Sequence, residues 1–105
     1  MELYKETSPT GSLNGGHTSV GLTAVPVCGS FPLKRGIVLR CPGPSEVNGN
    51  TDIVWVGRQN MTADSGPAGG MPILPGTGIF LPIDDPSQLY VVSTTAGQDI
   101  AWMCV

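Results

Sequence analysis

Charged side chains are scarce in this sequence and make up 12% of its 105 residues, about half the usual share. Five Lys and Arg oppose eight Asp and Glu, which gives a formal net charge of -3. Only two cations, Lys34 and Arg35, are adjacent. The sequence therefore lacks the basic stripe that displaces counterions from phosphates, and we expect no nucleic-acid partner.

A surface with so few charges loses little free energy when it is desolvated. Two interpretations fit: a surface that a partner covers, which we favour, or an ordinary domain with a bland surface. Long apolar runs are also missing, so no segment can span a membrane as a helix. The first residues, MELYKE, lack the basic start and apolar stretch of a secretory signal. We therefore expect synthesis in the cytoplasm and no membrane partner.

Residues for catalysis are few. The single histidine, His17, falls at the end of a polar, glycine-rich segment, where no third group is expected to hold it as a base. No phosphate-binding glycine motif occurs in the required strand-to-helix context. Adjacent Asp84 and Asp85 precede Pro86, a pattern that favours an aspartate capping one short helical turn. We expect no catalytic residue, no cofactor and no enzymatic activity.

Paired cysteines are absent as well. Cys28, Cys41 and Cys104 are an odd number without any CxxC spacing, which argues against a disulfide framework and against a zinc site completed by His17. Cys104 alternates with apolar residues and is expected to be a small buried hydrophobe. Cys28 and Cys41 flank a turn region, so a disulfide between them stays an alternative. We expect no metal.

Glycine and proline are abundant, with 15 and 10 copies, and they separate many short apolar runs. Such spacing is typical of a β-sandwich or barrel. The sequence predicts an all-β fold: a small antiparallel β-sandwich or barrel of about six or seven short strands over residues 18–105. The Asn48-Gly49 pair predicts a hairpin that joins strands 36–41 and 52–57. Segments 89–94 and 99–105 are expected to form a C-terminal hairpin.

Residues 1–17 differ from the rest because they are polar, rich in glycine and without periodicity. Their large apolar side chains are Leu3, Tyr4 and Leu13. One interpretation is a disordered tail. The other is an extended N-terminal arm that becomes ordered when Leu3 and Tyr4 dock on a neighbouring molecule.

Several strands are apolar on both faces. In the last strand, one face carries Ile100, Trp102 and Cys104, and the other carries Ala101, Met103 and Val105, so both faces are apolar. A strand that is apolar on both sides is expected to be buried on both sides. A domain of this size has one modest core. We therefore predict a homo-oligomer in which the second face meets another subunit.

The C-terminal half resembles small virion proteins of tailed bacteriophages, above all the capsid decoration, or cement, proteins. The resemblance rests on residues 53–57 (IVWVG), 71–76 (MPILPG), 81–93 (LPIDDPSQLYVVS) and 95–102 (TAGQDIAW). It implies a β-sandwich or barrel, often a homotrimer, that binds the major capsid protein on the outer capsid surface and stabilises the head. Leu3 and Tyr4 would anchor the arm, and the loop containing Gly66, Gly69, Gly70 and Met71 would face the capsid or the trimer axis.

The predicted function is accordingly that of a capsid decoration protein located in the virion. The alternative is a tail- or fibre-associated receptor-binding module that recognises host glycan or surface protein. In that case exposed aromatic side chains, with Trp55, Tyr90 and Phe80 as candidates, would line a groove.

Overall fold

Two four-stranded antiparallel sheets form the fold in the computed structural model, which describes residues 15–30, 32–47, 49–64, 66 and 69–105. Within those residues there are eight strands. Sheet I has the order β1 (Gly15–Val20), β8 (Gln98–Cys104), β3 (Ile37–Arg40), β6 (Gly78–Leu81). Sheet II has the order β2 (Val25–Pro26), β7 (Tyr90–Val92), β4 (Val54–Gly57), β5 (Met71–Ile73). The predicted small all-β fold of antiparallel strands is confirmed, with slightly more strands than expected.

The core lies between the two sheets, and the period of two along each strand explains it. In β3, Ile37 and Leu39 are fully buried, whereas the alternate residues are exposed. In β4, Val54 and Val56 are the buried pair. Other core side chains come from both sheets and from the adjoining loops: Val20, Val27, Cys41, Ile73, Leu89, Val91, Ile100 and Cys104.

The predicted hairpin between residues 36–41 and 52–57 is wrong. β3 pairs with β6 and β8 in sheet I, whereas β4 pairs with β5 and β7 in sheet II. The connecting segment instead crosses from one sheet to the other. Both strands carry an apolar face that needs cover, and placing them in opposing sheets lets those faces cover each other.

The predicted C-terminal hairpin is wrong for the same reason. β7 belongs to sheet II and β8 to sheet I, and residues 93–97 arch between them. Side chains in the arch satisfy its polar groups: Ser93 Oγ donates to the carbonyl of Ile53, and the Thr94 and Thr95 hydroxyls donate to Asp52. This short loop therefore joins two strands that lie in opposite sheets, and its hydroxyl side chains hydrogen-bond the segment before β4.

One local prediction is confirmed. Asp85 caps a single turn of 3-10 helix, Pro86–Gln88, by accepting a hydrogen bond from the backbone N–H of Ser87, and Pro86 stands at the first helical position. Pro26 lies in β2, an edge strand of sheet II, where its missing N–H costs no ladder hydrogen bond.

β1 begins at Gly15, so the last three residues of the predicted arm, among them His17, belong to an edge strand of sheet I. His17 pairs with Ala101 in the β1–β8 ladder. The glycine-rich composition of this stretch suggested a flexible segment, but the neighbouring strand supplies the backbone partners. Leu3, Tyr4 and Leu13 lie outside the described residues.

Candidate interaction surface

The outer face of sheet I, which points away from the core, carries a row of exposed apolar side chains. Phe80 on β6 pairs with Val38 on β3, and Val38 pairs in turn with Met103 on β8. We call these three residues the apolar row. Because directly opposed residues on one face of a sheet lie about 5 Å apart, their side chains form one continuous strip.

The exposure of the row is large for apolar side chains. Phe80 is 48% exposed, Met103 44% and Val38 39%. Val105, two residues beyond Met103, is 37% exposed and adds to the same end of the sheet. The other exposed large hydrophobic residues among those described lie in loops or at the start of β5: Leu22, Val47, Met71 and Leu74. Sheet I is therefore where exposed apolar residues form a contiguous surface.

The row ends at a glycine. Met103 pairs with Gly15, the first residue of β1, so the fourth position across the sheet has no side chain. The row is thus open at the β1 edge, at the point where the described part of the chain begins.

A second row on the same face, two residues further along the strands, carries the polar side chains of Arg40 and His17, and we call it the polar row. Both guanidinium nitrogens of Arg40 donate to the carboxylate of Glu46, at 2.6 and 2.7 Å. These hydrogen bonds, together with one from the N–H of Gly43, lower the pKa of Glu46 to about 2. Further across the sheet, the ring of His17 hydrogen-bonds the carboxylate of Asp99. On this side the apolar row is therefore bordered by polar groups that already have hydrogen-bond partners.

A groove lies at the same end of the molecule, around the segments that precede β3 and follow β6. Its volume is about 490 Å³. Asp85, on its wall, accepts hydrogen bonds from Ser87 and Ser30, which lower the pKa of the Asp85 carboxyl. The wall carries both signs of charge. Its lining residues are Leu33, Lys34, Arg35, Pro82, Ile83, Asp84, Asp85, Gln88 and Leu89.

Among the predicted loop residues Gly66, Gly69, Gly70 and Met71, Met71 is the first residue of β5, the edge strand of sheet II, and the three glycines lie in the loop before it. The apolar row belongs to the other sheet. Asp64 organises this loop by accepting a hydrogen bond from the N–H of Gly66. Gly70 packs tightly, because a Cβ there would lie 2.5 Å from the carbonyl oxygen of Val56. Met71 is 42% exposed.

The three aromatic residues considered for a binding groove do not come together. Phe80 belongs to sheet I, whereas Trp55 and Tyr90 belong to sheet II. Trp55 and Tyr90 share the outer face of sheet II, because both alternate with buried core residues, and both are half-buried. The structure thus gives two separate aromatic surfaces instead of one groove.

The cysteines are all free thiols, so the structure does not contain the disulfide between Cys28 and Cys41 that the sequence left as an alternative. Cys28 interacts with Cys104, not with Cys41, whose sulfur accepts a hydrogen bond from the side-chain amide of Asn50. Burial, followed by the neighbouring Cys104, raises the pKa of Cys28 to about 11. Cys104 is a buried core residue, as the sequence predicts.

A buried polar link, which the sequence does not predict, joins sheet I to the segment that enters sheet II. The amide of Asn50, fully buried, donates to the carbonyl of Asp99 and accepts from its N–H, both at 2.7 Å. The carbonyl oxygen of the Gln98 side chain accepts from the N–H groups of Thr51 and Asp52. Asn50 follows an Asn-Gly pair, so its sequence context indicated an exposed turn.

Among the described residues, no group of three or more His, Cys, Asp or Glu side chains is arranged to hold a metal ion. In that same part of the chain, no helix has the length and apolar character needed to cross a membrane. No protein-family model matches this chain, and the searches of curated proteins and of solved structures also gave no match.

Proposed function

We propose that this protein is a non-enzymatic structural protein that associates with copies of itself, as a homotrimer, and decorates a bacteriophage capsid by binding the major capsid protein. The observation that carries the proposal is the apolar row of Phe80, Val38 and Met103 on the outer face of sheet I. Exposed apolar surface that is contiguous and rimmed by polar groups is typical of a protein-interaction site.

The energetics favour cover by a protein partner. Each Å² of apolar surface removed from water stabilises a complex by about 25 cal/mol, and the three side chains of the row are each more than a third exposed. The neighbouring polar groups, Arg40 with Glu46 and His17 with Asp99, are paired within the subunit. A partner can therefore cover the row without leaving these polar groups without hydrogen-bond partners.

Self-association and capsid binding support each other in this proposal. A trimer presents three copies of each contact surface, so a modest affinity at each contact becomes strong binding when several contacts form together. The low overall charge, 12% of the residues, limits the desolvation cost at both kinds of interface.

The test combines the oligomeric state with capsid binding. Light scattering during gel filtration should give a mass three times the chain mass of 10.9 kDa, and the protein should co-sediment with capsids that lack a decoration protein. Phe80→Ser should weaken self-association. Leu74→Ser removes a side chain of similar exposure, 53%, that lies in a loop outside the row, and it should leave self-association unchanged. A protein that stays monomeric, or one that does not bind capsids, would refute the proposal.

A second candidate function is receptor binding in a tail or fibre. The shared outer face of Trp55 and Tyr90 on sheet II favours it, since flat half-buried aromatic rings can stack on sugar rings. Binding of the isolated protein to a glycan array, lost in Trp55→Ala and retained in Phe80→Ser, would support this function over capsid decoration.

A further inference from the structure

The apolar row and the entry of the chain into sheet I lie side by side. Gly15, the first described residue, occupies the same cross-strand line as Met103, Val38 and Phe80. Fourteen residues precede Gly15 in the sequence. They therefore enter the fold at the open end of the row.

The reach of this segment decides which side chains can cover the row. The row crosses from β1 to β6, three strand spacings or about 14 Å. Tyr4 precedes Gly15 by eleven residues, which in an extended chain span up to about 36 Å. Leu3 and Tyr4 can thus extend well beyond the row of their own subunit and contact the same row on a neighbouring one.

We propose that residues 1–14 of one copy lie across the apolar row of a second copy, with Leu3 and Tyr4 seated on Phe80, Val38 and Met103. This inference rests on the self-association in the proposed function and names the contact that produces it. In the proposed homotrimer each copy donates its segment to one neighbour and receives a segment from the other, so the interface is head-to-tail and its rotation closes a ring.

The first test uses variants of the full chain. The double substitution Leu3→Ser with Tyr4→Ser should raise the dissociation constant of the oligomer at least about tenfold, because it removes most of the apolar surface of the segment. The matched control, Thr7→Ser with Thr10→Ser, alters the same segment without removing apolar side chains and should leave association unchanged. Circular dichroism should be the same for all three proteins, since the described fold begins at Gly15.

The second test identifies the contact directly. Copies with Tyr4→benzoylphenylalanine, grown on ordinary medium, are mixed with isotope-labelled unsubstituted copies, irradiated and digested. Cross-links from position 4 to labelled peptides that contain Val38, Phe80 or Met103 are the expected result. Cross-links to these peptides only within unlabelled chains would mean that the segment covers its own row, and would overturn the inference.

Failure of the inference and failure of the proposed function give different results. If the oligomer persists in the Leu3 and Tyr4 double variant but dissociates in Phe80→Ser, the row is the interface and the segment is not its occupant. In that case the inference is wrong and the proposed function stands. If the unsubstituted chain is monomeric at every concentration tested, both are wrong.

Discussion

The two faces of sheet I are built from similar residues but lie in different surroundings. On β3, Ile37 and Leu39 are fully buried on the inner face, whereas Val38 between them is 39% exposed. On β8, Ile100 is fully buried, whereas Met103 is 44% exposed. The core of the single subunit needs only one of these apolar faces. The apolar character of the other has no explanation within the described subunit, and this difference leads to the proposed interface.

The outer face of sheet II differs from that of sheet I in the exposure of its apolar side chains. Val92 on β7 pairs with Trp55 on β4, and it is only 4% exposed although it alternates with the core residue Val91. The large indole next to it is itself half-buried. On the outer face of sheet II, Val92 is therefore buried beside the indole, whereas the outer face of sheet I is open along a full row.

The largest expected effect comes from the inner face. Leu39→Ala should lower the free energy of unfolding by about 2–5 kcal/mol, because it leaves a cavity at a fully buried position. Val38→Ala, one residue away on the outer face, should cost less than about 1 kcal/mol. Urea unfolding, monitored by tryptophan fluorescence at a concentration where the protein is monomeric, measures both. Equal losses would contradict the distinction between the two faces.

The next effect concerns the buried polar link to β8. Asn50→Ala should destabilise the fold by about 1–3 kcal/mol, because it leaves the N–H and carbonyl of Asp99 without their side-chain partner. Gln59→Ala, which removes an exposed amide, serves as the control. The same unfolding measurement applies. A stability equal to that of the control would show that Asn50 is a turn residue only, as its sequence context suggests.

A smaller effect is expected from a charge in the apolar row. Met103→Lys should raise the dissociation constant of the oligomer about tenfold or more, since the ammonium group would have to be desolvated in the interface. Thr23→Lys adds the same charge at an exposed loop position and should leave association unchanged. Sedimentation velocity over a range of concentrations measures both variants. If both behave alike, net charge controls association and the row does not.

The smallest effect is the acid dependence of the polar row. The pKa of Glu46 in the folded chain is about 2, lowered first by its hydrogen bonds from Arg40, whereas an unfolded chain has the ordinary value of about 4.3. The pair therefore contributes its full stability above about pH 4.5 and loses it as the pH falls toward 2. Because the pair is exposed, its contribution is small.

Glu46→Gln isolates that contribution. Its unfolding midpoint should fall less steeply between pH 4.5 and 2 than that of the unsubstituted chain, and the two should differ most near neutral pH. Some acid dependence should remain, since hydrogen bonds from Thr94 and Thr95 lower the pKa of Asp52, and those from Ser87 lower that of Asp85. Parallel curves for the two proteins would show that the Arg40–Glu46 pair does not stabilise the fold.

The predictions from sequence succeeded where the signal was local. Short apolar runs separated by glycine and proline predicted the small antiparallel β fold, and the Asp85-Pro86 pattern predicted the capped helical turn. They failed where partners are distant in the chain. An Asn-Gly pair favours a tight reversal, but its sequence context cannot show whether the next strand returns to the same sheet or crosses to the opposite one.

The candidate surface shows the same division. From the sequence, β8 is apolar on both faces and a partner for one of them is predicted. Which side chains join it depends on the strand order β1-β8-β3-β6, which brings Phe80, Val38 and Met103 into one line although they are far apart in the chain. Of the predicted loop residues, Met71 begins β5 of sheet II and Gly66, Gly69 and Gly70 lie in the loop before it, and the partner they bind stays a prediction.

The sequence by itself determined that this chain forms short antiparallel strands around one apolar core, because side-chain alternation and the placement of glycine and proline are properties of neighbouring residues. The tertiary structure alone decided which strands share a sheet, that Asn50 becomes a buried link, and that three distant residues form an exposed row. The physical reason is that the whole chain folds so as to remove as much apolar surface from water as it can. Which faces are buried therefore depends on contacts between residues that are remote in the sequence.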